Sequence, residues 1–229
     1  MKKIYLCILL LLSLSFYSQN KKVDKDLSIE KDLTFYLLDT ELGLSNDEIN
    51  DIEQDSFGFI WIATLEGLNR YDGTQFVTYK NNNSNLSNNF IKQIQVNKEG
   101  NLLLATANSL NLYDLKLEKF KNLSLEHNLN NENLNYVYYG KNGEIITGNE
   151  EKGIQILNTD GSLEYYTHNE NDNFSISSNT ISCITQQGDS IVWVGTKNKG
   201  VNKINLKTKQ TTRISLIQNK NLSPSSINS

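Results

Sequence analysis

Beyond its first twenty residues, this chain places its apolar residues in short runs rather than in the stripes of helices. Phe59-Ile60-Trp61-Ile62-Ala63, Leu102-Leu103-Leu104-Ala105 and Ile191-Val192-Trp193-Val194 are apolar at successive positions. A strand with one wet face alternates, so runs dry on both sides predict strands enclosed between two layers. Turn signals bound them. Asp55-Ser56-Phe57-Gly58, Asn97-Lys98-Glu99-Gly100 and Gly140-Lys141-Asn142-Gly143 put glycine where a tight turn needs positive φ. Asp72-Gly73 and Asp160-Gly161 read as hairpins. The first such region divides into strands over Glu48–Gln54, Phe59–Thr64, Leu68–Tyr71 and Gln75–Tyr79.

This pattern recurs. Leu44-Ser45-Asn46-Asp47-Glu48-Ile49 returns as Leu86-Ser87-Asn88-Asn89-Phe90-Ile91, as Leu129-Asn130-Asn131-Glu132-Asn133-Leu134 and as Ile176-Ser177-Ser178-Asn179-Thr180-Ile181. A fifth start, Leu222-Ser223-Pro224-Ser225-Ser226-Ile227, follows, and the starts are 42, 43, 47 and 46 residues apart. Trp61, Leu103, Ile146 and Trp193 occupy one column, and Tyr71, Tyr113, Leu157 and Ile204 another. Four short strands per unit of this length, with sheets stacked face to face, predict an all-β fold, a β-propeller. A parallel β-helix needs much shorter coils, and leucine-rich repeats need a shorter period. The expected blades are residues 44–79, 86–123, 129–167 and 176–216, with the start of a fifth at 222–229. Phe35 stands nine residues before Leu44, as Phe120 stands before Leu129, which predicts an orphan closing strand over residues 33–38. A closed four-bladed ring would leave residues 218–229 without purpose, so the expectation is an arc cut from a larger ring.

The first unit resembles the two-component regulator propeller repeat. The resemblance rests on Gly43-Leu44-Ser45-Asn46, on the run Asp55 to Thr64, and on Gly67-Leu68-Asn69-Arg70-Tyr71-Asp72-Gly73 with Phe76. The fourth unit repeats the phrase more loosely at Ile191–Thr196 and Gly200–Lys203, whereas Leu103 and Ile146 replace the tryptophan in the other two units. In this frame Trp61, Trp193, Gly58, Gly67, Asp72 and Gly73 are structural positions of the repeat. The resemblance implies the periplasmic sensor region of a Bacteroidetes-type hybrid histidine kinase, with seven-bladed rings, a glycan-related cue and no kinase in this segment. An alternative is a secreted or surface scaffold with no signalling role.

The N-terminus fits export. Met1, Lys2 and Lys3 precede the unbroken apolar run Ile4–Leu12, which softens through Ser13, Ser15 and Ser18, so residues 1–19 read as a signal peptide and 20–32 as a linker. The run is shorter than the roughly 20 residues that span a bilayer, and Cys7 lies too early for a lipoprotein site. The expected location is periplasmic or secreted. A net charge of −4, with Arg70 and Arg213 the only arginines, leaves no basic stripe for nucleic acid.

Candidate chemistry is sparse. His127 and His168 fall in linkers and read as solvated, and Asn158-Thr159-Asp160-Gly161 lacks the distal carboxylate of a calcium loop. Asp51, Glu53 and Asp55 alternate along a strand in the manner of a solvated edge, and Cys183 reads as a buried thiol. Neither a catalytic site, nor a cofactor, nor a metal is expected. Recognition of an oligosaccharide or another extracytoplasmic cue would use aromatic platforms beside polar groups. Tyr136, Tyr138 and Tyr165 are the candidates, and a C-terminal sensor region or a second protomer is a further candidate partner.

Overall fold

The computed structural model of the chain describes residues 35–97, 99–129 and 134–214. The expected signal peptide, linker and fifth blade lie outside them. Among the described residues, sixteen strands form four separate four-stranded sheets, each an antiparallel meander in chain order. The first contains β1 (Ile49–Gln54), β2 (Ile60–Thr64), β3 (Gly67–Tyr71) and β4 (Phe76–Tyr79). The second contains β5 (Ile91–Val96), β6 (Leu102–Thr106), β7 (Leu110–Asp114) and β8 (Lys119–Asn122). The third contains β9 (Leu134–Tyr139), β10 (Ile145–Asn149), β11 (Ile154–Leu157) and β12 (Leu163–Tyr166). The fourth contains β13 (Ile181–Gln187), β14 (Ile191–Thr196), β15 (Gly200–Asn205) and β16 (Gln210–Ile214). These are the blades of a propeller-type fold.

Chemistry repeats with the strands. Ser45 donates its N–H to Asn69 Oδ1 at 3.0 Å, and Asn69 Nδ2 donates back to Ser45 Oγ at 2.7 Å. Thr64 Oγ1 lies 2.8 Å from the same serine hydroxyl and donates to Gly67 O. Ser87, Thr106 and Asn111 rebuild this triad in the second sheet, and Ser177, Thr196 and Asn202 in the fourth. Each triad ties the entering chain to β2 and β3 of its blade, or their equivalents, with every buried polar atom of the asparagine engaged. The glycine beside it is steric: at Gly67, with φ +142°, an added Cβ would lie 2.8 Å from Tyr79 O. Asp72 closes the outer hairpin by accepting from the N–H groups of Thr74 and Gln75. The Thr74 hydroxyl and these amides hold its carboxyl down at about 2.

Consecutive sheets bury their dry faces on one another. Trp61, Ala63 and Leu68 of the first sheet pack with Ile91, Ile94, Leu102 and Leu104 of the second. Trp61 is fully buried, its ring 5.3 Å from that of Tyr113, and its Nε1 donates to Asp55 Oδ2 at 2.8 Å. Leu103, Ala105 and Leu110 meet Val137, Ile145 and Leu157 across the next interface, and Ile146, Ile154 and Ile156 meet Val192, Val194 and Ile204 across the last. Side chains of the innermost strands also bond the backbone of the following innermost strand. Asp51 Oδ2 accepts from Ile94 N at 3.0 Å, Gln93 Oε1 accepts from Val137 N at 2.8 Å, and Gln95 Oε1 accepts from Tyr139 N. Asp51, one of the alternating acids that read as a solvated edge, is therefore a tie between blades.

Four expectations change. Trp193 is only partly buried, because its column always points to the next sheet and no described sheet lies beyond the fourth. Cys183 is exposed rather than buried. A bulge between Ile181 and Cys183 turns its thiol onto that same outward face, beside Gly195. Residues 35–38 of the expected closing strand carry no strand. A short helix, α1 (Leu123–His127), joins the second and third sheets where a plain linker was expected. Asn122 caps it by accepting from Leu125 N, and Asn128 ends it at φ +53°, so His127 closes a helix rather than sitting in a loop.

Among the described residues, no helix is long and apolar enough to cross a membrane. The two tryptophans give a test of the stacking. Trp61→Ala should cost about 3–5 kcal/mol in denaturant unfolding, and Trp193→Ala well under half of that. Equal losses would contradict the assignment of Trp193 to an outward face.

Candidate functional site

An open concavity lies at the outer rim, where the third and fourth sheets meet. A groove of 660 Å³ runs between β12 and β16, floored by the long connection that follows β12. Phe174 stands in it 78% exposed, and Tyr165, 56% exposed, lies along its edge, an unusual state for large aromatic side chains. Glu164, Asn169, Asp172 and Lys209 supply polar groups around them.

The groove is held open by its own bonds. Lys209 pairs with Glu164 across the two blades, and Asn158 Nδ2 adds a bond to the same carboxylate at 2.9 Å. Burial works against the charged form of Glu164, yet the Lys209 and Asn158 bonds hold its carboxyl below the ordinary range. Arg213 on β16 pins the floor. Its Nε donates to Ser175 O at 2.9 Å, and its Nη2 donates to Asp172 O at 2.9 Å and to Ser175 Oγ at 2.8 Å. Within the loop, Asp172 accepts from Phe174 N at 2.8 Å, which fixes the turn carrying the exposed ring.

The three candidate tyrosines separate. Tyr165 lies on the outermost strand of the third sheet, whereas Tyr136 and Tyr138 lie on the innermost, across the intervening β10 and β11. They also take opposite faces. Tyr165 shares a cross-strand row with Gln155 and Thr147, on the side of Val137 and the second sheet. Tyr136 and Tyr138 pack against the core shared with the fourth sheet, and burial, followed by the nearby Cys183, raises the Tyr136 hydroxyl. Tyr165 thus borders the groove from the face turned towards the second sheet, and the other two tyrosines lie at an interface.

Sequence reasoning passed over Phe174 and Arg213. Phe174 carried a usable signal, an aromatic residue directly after Asn171-Asp172-Asn173 and outside every repeat column. Arg213 carried none, since its work is done by geometry with carbonyl groups far away in sequence.

Two of the alternating acids, Asp51 on β1 and Asp55 just after it, have structural tasks. Asp51 ties the second sheet, and Asp55 accepts from Phe57 N, Phe59 N and Trp61 Nε1. Glu53 is pushed above the ordinary carboxylate range by burial and then by Asp51. A raised carboxyl means that the folded state disfavours its charge, so Glu53 weakens the fold above its folded value and has no effect below the unfolded one. Glu53→Gln should accordingly raise the melting temperature at pH 7, with the difference closing as pH falls below about 4. A gain that persisted unchanged at pH 3 would contradict this cause.

Comparison with known proteins agrees with the fold. The two component regulator propeller family matches residues 43–66. Histidine kinase P4 of Formosa agariphila is 50% identical over 40 residues, which are 18% of this chain and 3% of that kinase. The extracellular domain of a hybrid two component system of B. thetaiotaomicron superposes with a TM-score of 0.64 at 22% identity, over 79% of this chain and 26% of that one. The chain thus spans about a quarter of that structure. Virginiamycin B lyase from Staphylococcus aureus, an enzyme, superposes with a TM-score of 0.57 at 16% identity, over 75% of this chain and 57% of the lyase. These structural likenesses concern the fold alone. The sheets, the triads and the matched segment together make this chain a β-propeller-type protein carrying a two component regulator propeller repeat.

Proposed function

We propose that the chain is the cue-recognising propeller segment of an exported two-component sensor, and that the cue is a neutral oligosaccharide bound at the outer rim between the third and fourth blades. The likeness to a sensor's extracellular domain supports the first part, and the apolar run after Lys2 and Lys3 supports export. The second part rests on one observation, the exposed Tyr165 and Phe174 in a groove edged by Glu164, Asn169, Asp172 and Lys209. Sugar rings present apolar C–H faces that stack on aromatic rings, while their hydroxyl groups need donors and acceptors at the side. The groove is open, as a chain passing through it requires. In this reading the blades continue into a longer ring, and the kinase resides in another part of the sensor.

Thermal unfolding of the full chain with neutral oligosaccharides of two to six units tests the proposal. A binder at 100 times its Kd adds about 2.7 kcal/mol of stability. The Tyr165→Ala, Phe174→Ala double variant should keep the fold, since both side chains are exposed, and should lose that response. No response to any oligosaccharide, or an undiminished one in the double variant, would overturn the reading.

A further inference from the structure

The first and fourth sheets each leave one face open, and the two faces match. At the first interface Trp61 meets a cross-strand row of the second sheet, Leu102, Tyr113 and Phe120. The Trp61 ring lies 5.3 Å from that of Tyr113, and the Tyr113 and Phe120 rings are 4.8 Å apart. The first sheet carries the same row on its other face, as Ile60, Tyr71 and Phe76, again with the two rings 4.8 Å apart. No described sheet covers it. Ile49 and Ile52, at the positions of the buried Ile91 and Ile94, are 45% and 54% exposed. The open face of the fourth sheet is the other half. Trp193 takes the place of Trp61, its Nε1 donating to Gln187 Oε1 at 2.9 Å as that of Trp61 donates to Asp55. Val201 and Ile214 share its face and take the places of Leu68 and Tyr79.

Along the sheets, the residue that enters an interface and the row that receives it change together. Trp61 meets an aromatic pair. Leu103, in the same column, meets Leu157 and Leu163, and Ile146 meets Ile204, whose cross-strand neighbour is Thr211. An aromatic receiving pair thus stands only opposite a tryptophan. Among the described sheets, Trp193 is a tryptophan without such a pair, and Tyr71 with Phe76 is such a pair without a tryptophan. The polar ties agree. At the first two interfaces Asp51 and Gln93 accept the N–H groups of Ile94 and Val137. Cys183 holds that position in the fourth sheet and brings neither a carboxylate nor an amide. Ile52 N, which would receive the tie, donates to Asp51 Oδ1 of its own strand at 2.9 Å. Neither face requires a polar tie from the other.

We propose that the fourth sheet of one copy docks on the first sheet of a second copy, with Trp193 on the Tyr71–Phe76 pair, so that two chains share one ring of eight blades. The contact joins two different faces, and a two-fold axis that repeats it leaves neither of them open. Eight blades lie within the range over which propellers close. An unrelated partner would need a blade's entering face for the first sheet and a blade's receiving face for the fourth. A second copy brings both. A tryptophan seated in an aromatic pocket is the kind of residue that dominates the energy of an interface. The groove between β12 and β16 is left as described, and the longer ring of the reading above becomes one that two copies share. The unequal cost of losing Trp61 and Trp193 then applies to the dissociated chain.

Sedimentation equilibrium of the full chain over a range of concentrations tests the pairing. It should show a species of twice 26.1 kDa and none larger. Dilution to the monomer should move the tryptophan emission to the red, because Trp193 returns to solvent while Trp61 stays buried. Trp193→Lys and Ile52→Glu should each weaken the dimer about 30-fold or more. The second variant alters a well exposed side chain, which keeps the test decisive if the first fails to fold. Mixed together, the two variants retain one intact contact and should pair with each other more tightly than either pairs with itself. Cys183→Ser should pair as the wild type does. A monomer at every concentration, mass that grows beyond two copies, a dimer untouched by Ile52→Glu, mixed variants that fail to pair, or a dimer lost in Cys183→Ser would overturn the proposal. A monomer that still answers to oligosaccharides keeps the groove and removes the pairing. A dimer silent towards every oligosaccharide does the reverse.

Discussion

The second strand of each blade is apolar on both faces, and a blade relies on its neighbours to bury them. That constraint governs the rest of the structure. Trp61 and Leu68 are fully buried because the second sheet covers them, and Leu102 and Leu104 are buried because the first does. Apolar burial of this kind has no direction, so it cannot by itself fix how one sheet slides over the next. The side chains of Asp51, Gln93 and Gln95 supply the register. Each accepts a backbone N–H of the following innermost strand, which aligns the blades residue by residue. Where no described sheet follows, the column that buries Trp61 leaves Trp193 partly in solvent.

Repetition fixes the scaffold, and departures from it place the chemistry. The triads at Ser45, Ser87 and Ser177 satisfy themselves and leave nothing over. The third blade departs at Asn149 and Gln155, and the connection after β12 is long enough to carry Phe174 out to solvent. Phe174 and Tyr165 both border the groove at the outer rim. Arg213 and the Lys209–Glu164 pair then hold two neighbouring blades in one arrangement at that rim.

The scaffold was legible in the sequence for a physical reason. Runs such as Leu102–Ala105, apolar on both faces, have few structural solutions, and in the first blade the four expected strands fall within one residue of the observed ones. The role of Asp51 was not legible, because alternation alone does not tell a solvated edge from a tie to the next blade. Cys183 was misplaced by a bulge, which shifts the face of a side chain without a mark in the local pattern. Of the candidate tyrosines, composition gave no means of separating Tyr136 and Tyr138, at an interface, from Tyr165, at the rim. That distinction depends on register across the third sheet and on which neighbour each face meets.

The central claim is that recognition takes place at the outer rim of the third and fourth blades. Hydrogen exchange of the full chain, followed peptide by peptide with and without a stabilising neutral oligosaccharide, addresses it directly. The account predicts added protection in residues 163–176 and 209–213, with the innermost strands β5, β9 and β13 unchanged. Protection confined to the innermost strands, or spread evenly over all four sheets, would contradict it.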